Sequence, residues 1–169
     1  IRKELGMPVE SFFSSFSDSV AAASIAQVHK AVVKETNELV AVKILRPKVE
    51  KVFLKDLGAL LFLAKFIEML IPSFRRLKPT EVINHFERLV REELDLRMEI
   101  SAAAEFAENT KNDRNFYVPK VVWSLSGKRV ITTEWVDGIS VGDIETIKKS
   151  GVDIESFAKR IIKTFLTQA

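Results

Sequence analysis

The stretch that decides the fold is LVAVKIL at residues 39–45, an apolar run that a single charged residue, Lys43, interrupts. Apolar and β-branched residues in a run of this length predict a β-strand. Residues 25–33 predict a second strand, and Thr36-Asn37-Glu38 predicts a turn that joins the two into a hairpin. Because burying an unpaired charge is costly, the Lys43 ammonium must reach an anion or water.

Helices and a further hairpin are predicted around this first hairpin. Phe12, Phe13 and Phe16 share one side of a helix over residues 8–16, and Pro79 opens a long amphipathic helix. That long helix extends, with or without a break, to about residue 109. The other predicted elements are an apolar helix after Pro47 that closes near Pro72, a hairpin of residues 121–125 and 129–135 across Ser126-Gly127, a helix over 141–149, and a helix from about 154 to the end with Asp153 as its cap. Strands with helices around them, without strict βαβ alternation, indicate the α+β class.

Composition excludes several classes of protein. The chain has 169 residues, of which 47% are apolar and 29% charged, as in one ordinary folded domain or a large piece of one. Its net charge of +3 is too small to indicate a nucleic acid as partner. With no cysteine, the chain has no disulfide, thiolate nucleophile or zinc–cysteine cluster, and His29 and His85 alone predict no metal site. The six glycines form neither a G-x-G-x-x-G nor a P-loop arrangement, so both of those nucleotide sites are poorly supported.

The segment over residues 52–71 has 15 apolar residues among 20. It also contains Lys55, Asp56, Lys65 and Glu68, and each such charge costs about 3 kcal/mol at the centre of a membrane. We therefore expect no transmembrane segment here, and the beginning of the chain lacks the apolar core of a signal peptide. A helix packed between other elements is the first interpretation, and a peripheral contact with a membrane is the alternative.

Ala21-Ala22-Ala23-Ser24 forms a run of small residues before the strand at 25–33. Small side chains let a backbone approach a ligand closely, although alanine lacks the conformational freedom of glycine. The run could therefore contact a phosphate as a loop that is stiffer than a glycine-rich one. On composition alone, simple packing is the more common role of an alanine run.

Three motifs follow in an order that is typical of a protein kinase N-lobe. Residues 40–43, VAVK, resemble the V-A-I-K strand motif, whose lysine contacts ATP phosphates and pairs with a helix glutamate, although a strand-end lysine that reaches solvent is the alternative. Residues 92–99, EELDLRME, supply glutamates on a helix, with a solvated helix face as the alternative. Residues 131–138, ITTEWVDG, resemble the hinge that receives adenine, although a plain strand-to-loop exit looks similar.

Residues 22–29, AASIAQVH, together with residues 40–43 and Glu93-Leu94-Asp95, resemble the UbiB/ADCK family of atypical kinase-like proteins, and the resemblance covers nearly the whole chain. In that family an alanine-rich loop takes the place of the glycine-rich loop over the nucleotide phosphates. The resemblance implies that Lys43 is the ATP-phosphate lysine and Glu99 its partner on helix C. The other residues that it implies for nucleotide binding are Ala21, Ala22, Ala23, Ser24, Ala41, Thr133 at the gatekeeper position, and the backbone of Glu134 and Val136.

The same resemblance implies how the chain is organised. Glu93 and Asp95 would form a regulatory E-x-D motif, whose usual partner is a K-x-G-Q motif upstream. The expected fold is a kinase-like N-lobe with a truncated C-lobe, because neither H-x-D-x-H-P-x-N nor D-F-G occurs before Ala169. The implied segments are the end of an N-terminal extension (1–19), the alanine-rich loop and lysine strand (20–46), a helical insert (47–78), the helix C region (79–110), the hairpin and hinge (118–138) and the start of the C-lobe (139–169).

By the same likeness, the parent protein binds ATP or ADP and acts as an atypical kinase or ATPase in support of ubiquinone, or related prenylquinone, biosynthesis. The Mg²⁺ ligands are expected beyond Ala169, so the 169 residues alone are expected to be inactive. The implied location is peripheral, on the cytoplasmic face of a bacterial inner membrane or on an organellar inner membrane, with ubiquinone-biosynthesis enzymes or membrane lipid as partners. The alternative is a non-catalytic scaffold that docks on a membrane or on partner enzymes through residues 52–71.

Overall fold

The computed structural model describes residues 1–113 and 116–168. The chain divides into two compact units, one formed by residues 1–109 with 118–135 and the other by residues 110–117 with 136–169. The first unit contains the strands and most of the candidate site, so it is described first.

The first unit is built on a four-stranded antiparallel sheet in the order β1-β2-β3-β4. Its strands are β1 (Phe13–Ala22), β2 (Ala26–Val33), β3 (Leu39–Leu45) and β4 (Val130–Glu134). The strands predicted at 25–33 and 39–45 are confirmed. Between them, Asn37 adopts a left-handed conformation with φ of 58°, as expected for a turn residue of this type. The sheet with its helices confirms the α+β prediction.

Alternation along β2 and β3 divides their side chains between two faces of the sheet. Val28 and Lys43 are paired in register and lie on what we call the inner face. His29 and Val42 are the next pair and lie on the outer face. The inner face packs against helices from the middle of the chain, and the outer face packs against the beginning of the chain.

The outer face is covered by two short helices, α1 (Arg2–Leu5) and α2 (Val9–Phe12). Beneath these helices, Val42 and Val130 have no exposed surface. The buried members of this outer core are Phe13, Ala31, Val33, Val40, Val42, Leu125 and Val130.

The inner face is covered by α3 (Val49–Leu70), α4 (Pro79–Glu93) and α5 (Leu96–Thr110), with a 3₁₀ helix, Pro72–Leu77, between α3 and α4. The buried members of the inner core are Ala26, Leu45, Val49, Leu57, Val90, Leu94, Leu96, Ile100 and Ile131. Among the described residues, no helix has both the length and the apolar composition needed to cross a membrane.

α3 is buried along one stripe rather than all round. Leu57 and Ala64 face the core, whereas Phe62 is 74% exposed and Met69 63% exposed. The interpretation of this helix as one packed between other elements is therefore correct for one side only.

The long helix predicted from Pro79 is broken at Leu94 and Asp95 into α4 and α5. Leu94 is buried in the inner core, so the break is fixed by packing. The Asp95 Oδ1 atom accepts a hydrogen bond from the backbone N–H of Arg97 at 3.2 Å, which is the arrangement of a residue that caps a helix start.

The helix predicted over residues 8–16 is wrong beyond Phe12, because Phe13 begins β1. Residues 13–19 of the segment assigned to the end of an N-terminal extension thus belong to a strand of the sheet. Three register shifts interrupt the pairing of β1 with β2, so the apolar residues Phe13 and Phe16 fall three apart, as they would on a helix. Serine side chains supply some of the missing ladder bonds, and Ser17 Oγ accepts from the backbone N–H of Lys30 at 2.9 Å.

The second predicted hairpin is also wrong in part. Residues 121–125 form no strand: Val121 makes a single bridge to Thr133, and Trp123–Leu125 is a 3₁₀ helix. Side chains replace the ladder here. The buried Thr132 hydroxyl donates to the Leu125 carbonyl at 2.7 Å, and Ser126 Oγ accepts from the Thr132 N–H at 2.9 Å.

The second unit contains two helices, α6 (Ile144–Lys149) and α7 (Ile154–Gln168). α6 begins three residues later than predicted, because Asp143 caps it by accepting from the Thr146 N–H at 3.1 Å. Asp153 precedes α7 as predicted, and its Oδ1 atom accepts from the Glu155 N–H at 3.1 Å. Ala169, the end of the predicted last helix, lies outside the described residues.

Candidate functional site

An ion pair joins β3 to α5 on the inner face of the sheet. The Lys43 Nζ atom lies 2.7 Å from Oε1 and 2.6 Å from Oε2 of Glu99, so one ammonium donates to both carboxylate oxygens. The two residues are 56 positions apart in the chain. The structure therefore brings together the two residues that the sequence predicts as the catalytic pair.

The position of Glu99 follows from the packing of α5. Leu96 and Ile100, four residues apart, are 2% and 3% exposed and anchor one side of the helix in the inner core. The Leu96 N–H also donates to the Lys128 carbonyl at 2.9 Å, which ties the start of α5 to the segment before β4. Glu99 is thus carried on a helix that is fixed at its first turn.

The ion pair is partly open to solvent, with the side chain of Lys43 31% exposed and that of Glu99 51% exposed. Exposed ion pairs contribute about 0–1 kcal/mol to stability, because water already solvates both charges. The pair therefore has little to do with holding the fold together. Its consequence is geometric, since it fixes where the ammonium of Lys43 lies.

Two rows of residues cross the inner face beside this pair. One row joins Val28 of β2 to Lys43, and the next joins Lys30 to Ala41 and then to Thr133 of β4. Residues directly opposite one another in such rows have Cβ atoms roughly 5 Å apart. Ala41, Lys43 and Thr133, which were predicted separately, thus share one small area of the inner face.

The alanine-rich segment is shorter as a loop than predicted. Ala21 and Ala22 are the last residues of β1, and the turn itself is closed by a hydrogen bond from the Ala23 N–H to the Ala26 carbonyl at 2.9 Å. Arg46 Nε donates to the Ala23 carbonyl at 3.2 Å. Ser24 lies within the turn, and the four residues 21–24 are exposed.

The predicted hinge residues divide between the two units. The Glu134 N–H donates to the Lys120 carbonyl at 2.8 Å, and the Trp135 N–H donates to the Leu39 carbonyl at 3.1 Å, so both lie at the edge of the sheet. Lys30, which shares a row with Ala41 and Thr133, makes a cation–π contact with Trp135. Its Nζ atom lies 4.5 Å from the centre of the Trp135 ring. Val136 belongs to the second unit.

The two residues of the predicted E-x-D motif have different surroundings. Glu93 is exposed at the last position of α4. Asp95 is held by Arg97, whose Nη2 lies 2.6 Å from Oδ2 and whose Nε lies 2.9 Å from Oδ1. These hydrogen bonds from Arg97 hold the pKa of Asp95 below its usual range.

Several contributors to this area escaped the sequence analysis. The partner of Arg46 is Ala23 and that of Lys30 is Trp135, and both partners are far away in the sequence. The partner of Arg97 is Asp95, two residues earlier. Val28 carried a usable signal, because it lies two residues from Ala26 and Lys30 in a strand with alternating faces.

A small antiparallel sheet whose strand lysine is ion-paired to a glutamate on an adjoining helix defines the class of kinase-like N-lobes. The comparison with protein families agrees. The ABC1 atypical kinase-like domain matches residues 1–169, and the chain belongs to this family, which confirms the resemblance found in the sequence.

Curated relatives carry the name "Probable protein kinase UbiB". The chain is 38% identical to the one from Aliivibrio fischeri strain MJ11 over 166 residues, which is 98% of this chain and 30% of the relative. It is 37% identical to the one from Vibrio parahaemolyticus over 169 residues, 99% of this chain and 31% of the relative. It is 36% identical to the one from Marinobacter nauticus, with the same two coverages. The chain thus spans about three tenths of the length of these relatives.

Proposed function

We propose that the chain forms the ATP-binding lobe of an atypical kinase or ATPase that supports ubiquinone, or related prenylquinone, biosynthesis. The observation that carries this proposal is the Lys43–Glu99 ion pair beside Ala41 and Thr133 on one face of the sheet. Family membership and the printed names of the relatives support the kinase-like part. The biosynthetic part rests on the resemblance to the UbiB/ADCK family.

The surroundings of Lys43 fit a phosphate ligand. An ammonium has three N–H donors, and the Glu99 oxygens take two of the directions around it. Because Lys43 is about one-third exposed, the remaining donor is accessible from solvent. Lys43 would bind the phosphates, and Glu99 would hold the lysine in place for them.

Further residues would form the rest of the nucleotide site. The turn at Ala23 and Ser24, with Ala21 and Ala22 leading into it, would cover the phosphates. Ala41 and Thr133 would contact the adenine from the sheet. The family resemblance adds backbone hydrogen bonds to the adenine at Glu134 and at Val136.

ATP would supply the phosphoryl group for the reaction of the parent protein, and Mg²⁺ is proposed to be held by residues beyond this chain. Accordingly, we expect the 169 residues to bind ATP or ADP without hydrolysing it. A phosphate-release assay on the purified chain with Mg²⁺ would check this. Turnover that disappears in Lys43→Ala would contradict it.

Nucleotide titration tests the binding proposal directly. Calorimetry with ATP should give a dissociation constant that rises about tenfold or more in Lys43→Met, because a charge-assisted hydrogen bond to the phosphates is lost. Lys55→Met is the matched control, since Lys55 is exposed on α3 and should leave ATP affinity unchanged. Equal affinity in the wild type and Lys43→Met would refute the proposal.

A second candidate function is supported by the exposed side of α3. Leu60 is 44% exposed, and Phe62 stacks on Phe66 with ring centroids 6.5 Å apart on the solvent side of the helix. Aromatic and aliphatic side chains that lie open on one helix are typical of contact surfaces. A non-catalytic scaffold would use this side of α3 to dock on a membrane or on a ubiquinone-biosynthesis enzyme. The membrane would be the cytoplasmic face of a bacterial inner membrane or an organellar inner membrane.

Liposome co-sedimentation separates the two functions. If α3 docks on lipid, Leu60→Ser with Phe62→Ser should abolish co-sedimentation and leave ATP affinity unchanged. Phe86→Ser with Leu89→Ser is the control, because these are also exposed apolar side chains, on α4. Loss of sedimentation in both double variants would argue against a specific role for α3.

A further inference from the structure

A cavity of about 720 Å³ lies on the outer face of the sheet, away from Lys43. Gln27, His29 and Ile44 contribute to it from the sheet, and these residues alternate with Val28 and Lys43 of the inner face. α1, the first turn of α3 and the segment before β4 complete its walls. The proposed nucleotide site does not include this cavity.

Five basic side chains line the cavity, namely Arg2, Lys3, Lys48, Lys51 and Arg129. They come from three separate parts of the chain, so they are close together only in the folded structure. The entire chain has a net charge of only +3, so the gathering is a local excess of positive charge.

Two acidic side chains, Glu4 and Glu50, also line the cavity, and Glu50 forms an ion pair. Glu50 Oε2 lies 3.1 Å from Nη1 of Arg129. Glu4 lies against Gly127, where an added Cβ would be 2.8 Å from its Oε1 atom, and its charge raises the pKa of Arg97 after the larger effects of Asp95. Glu50 thus offsets Arg129, and the five basic and two acidic side chains of the lining leave a local excess of three positive charges.

The four remaining basic side chains are not ion-paired in the part of the chain that the structure describes. Within residues 1–113 and 116–168, Arg2, Lys3, Lys48 and Lys51 form no ion pair with a carboxylate. Like charges around one concavity repel each other, and a concave low-dielectric wall strengthens their common field. An anion in the cavity would relieve this repulsion for all four at once.

The size and lining of the cavity narrow the choice of anion. Its volume falls within the roughly 300–1,000 Å³ of small-molecule sites, so it admits more than a single inorganic ion. Ile44 and Pro47 give it an apolar floor beneath the cationic rim. Lysine and arginine together favour phosphate, which accepts hydrogen bonds from several donors at once.

We propose that this outer-face cavity is a binding site for a phosphate-bearing small molecule, with Arg2, Lys3, Lys48 and Lys51 around the phosphate and the apolar floor under the rest of the ligand. The same chemistry is presented by a soluble phosphate ester and by the headgroup of an anionic lipid. The site is separate from the proposed ATP site, because the two open on opposite faces of the sheet.

Pyrophosphate is the first probe, and amide chemical shifts are the readout. Pyrophosphate should shift the amides of Gln27, His29 and Ile44 in the wild type and also in Lys43→Met, which removes the proposed ATP contact. The dissociation constant should rise about tenfold in the double variant Lys48→Gln, Lys51→Gln, because two charge-assisted contacts are lost. The double variant Lys55→Gln, Lys65→Gln makes the same charge change at exposed positions of α3 outside the cavity and should bind like the wild type.

Vesicles identify the source of the phosphate. If the site takes a lipid headgroup, vesicles of phosphatidylcholine with phosphatidylglycerol should bind the protein, and Lys48→Gln, Lys51→Gln should weaken that binding while Lys55→Gln, Lys65→Gln does not. If it takes a soluble ligand, pyrophosphate should bind and the vesicles should not discriminate between the double variants. Two results would overturn the proposal: equal effects of both double variants on every probe, or pyrophosphate shifts that vanish in Lys43→Met. The second result would still leave the ATP site intact as a proposal.

Discussion

The inner and outer faces of the sheet use positive charge in opposite ways. On the inner face, Lys43 is paired with Glu99, whose carboxylate lies within 2.7 Å of the ammonium. On the outer face, four basic side chains surround a cavity, and the described residues give them no carboxylate partner. Neighbouring residues of β3 serve both faces, since Lys43 and Ile44 point to opposite sides.

This difference teaches what each arrangement can do. A single paired lysine has a defined position and a weak field, so it suits a contact that must be aligned with a ligand. Several unpaired cations have a strong field and little fixed geometry, so they attract an anion over a distance of about one Debye length, roughly 8–10 Å. Raising the salt concentration should therefore weaken binding at the outer face more than at the inner face.

The largest effect is expected when a buried leucine of the inner core is truncated. Leu96→Ala should lower the free energy of unfolding by about 3 kcal/mol, because a fully buried leucine is truncated. It should also lower ATP affinity, since Leu96 anchors the helix that carries Glu99. Urea unfolding and ATP calorimetry measure the two effects.

Val42→Ala is the matched change beneath the outer face. Val42 has no exposed surface, so its truncation should lower the free energy of unfolding by about 2 kcal/mol. ATP affinity should stay at the wild-type value under folded conditions. Equal losses of ATP affinity in Leu96→Ala and Val42→Ala would show that the two faces are not independent.

A smaller effect is expected when one acidic partner on each face is neutralised. Glu99→Gln should weaken ATP binding about tenfold with little change in stability, because the exposed ion pair adds little to the fold. Glu50→Gln should leave ATP binding unchanged and strengthen pyrophosphate binding about threefold, because it frees Arg129 and removes a negative charge from the cavity. A loss of ATP affinity in Glu50→Gln would break the comparison.

The smallest effect is expected at Asp95, which lies between α4 and α5. Asp95→Ala should lower the free energy of unfolding by about 1 kcal/mol at pH 7, because the cap of α5 is lost. The pKa of Asp95 is lower in the folded chain than in the unfolded chain, where it has its ordinary value of 3.8. The ionised carboxylate therefore stabilises the fold fully when the pH is above that ordinary value. This stabilisation is lost as the pH falls through the lowered pKa.

Unfolding measured at pH 7 and near pH 2 checks the sign of this dependence. The difference between the wild type and Asp95→Ala should shrink on acidification. Asp95→Asn is the control, because asparagine also caps helices, and it should cost less than the alanine variant at pH 7. A difference that grows at low pH would contradict the assigned direction.

Local sequence patterns were sufficient for the parts of the fold with regular pairing. β3 was predicted with the bounds that the structure shows, because its residues are apolar and pair without interruption on both sides. Asp153 was also predicted as the cap of the last helix, and its side chain accepts from the Glu155 N–H. The break at Asp95 and the cap at Asp143 were not located from the sequence, although aspartate commonly caps helices.

Patterns failed where side chains take over backbone bonding. β1 was missed because its bulges give Phe13 and Phe16 a helix-like spacing, and residues 121–125 were misread because Thr132 and Ser126 replace ladder bonds. The approach of Lys43 to Glu99 came from the family resemblance, and no spacing rule joins residues so far apart. Their roles toward ATP stay predictions. The basic cavity had no signal in the sequence, since its residues meet only after folding.

The irregular pairing of β1 also bears on how the molecule behaves at high concentration. β1 is an edge strand, and its three register shifts leave no straight ladder along the described strand for a second copy to extend. At the other edge, the carbonyl of Lys120 and the N–H of Val122 already pair with β4. Neither edge of the sheet therefore offers a regular strand with which a second copy could pair, and this disfavours aggregation by addition of strands.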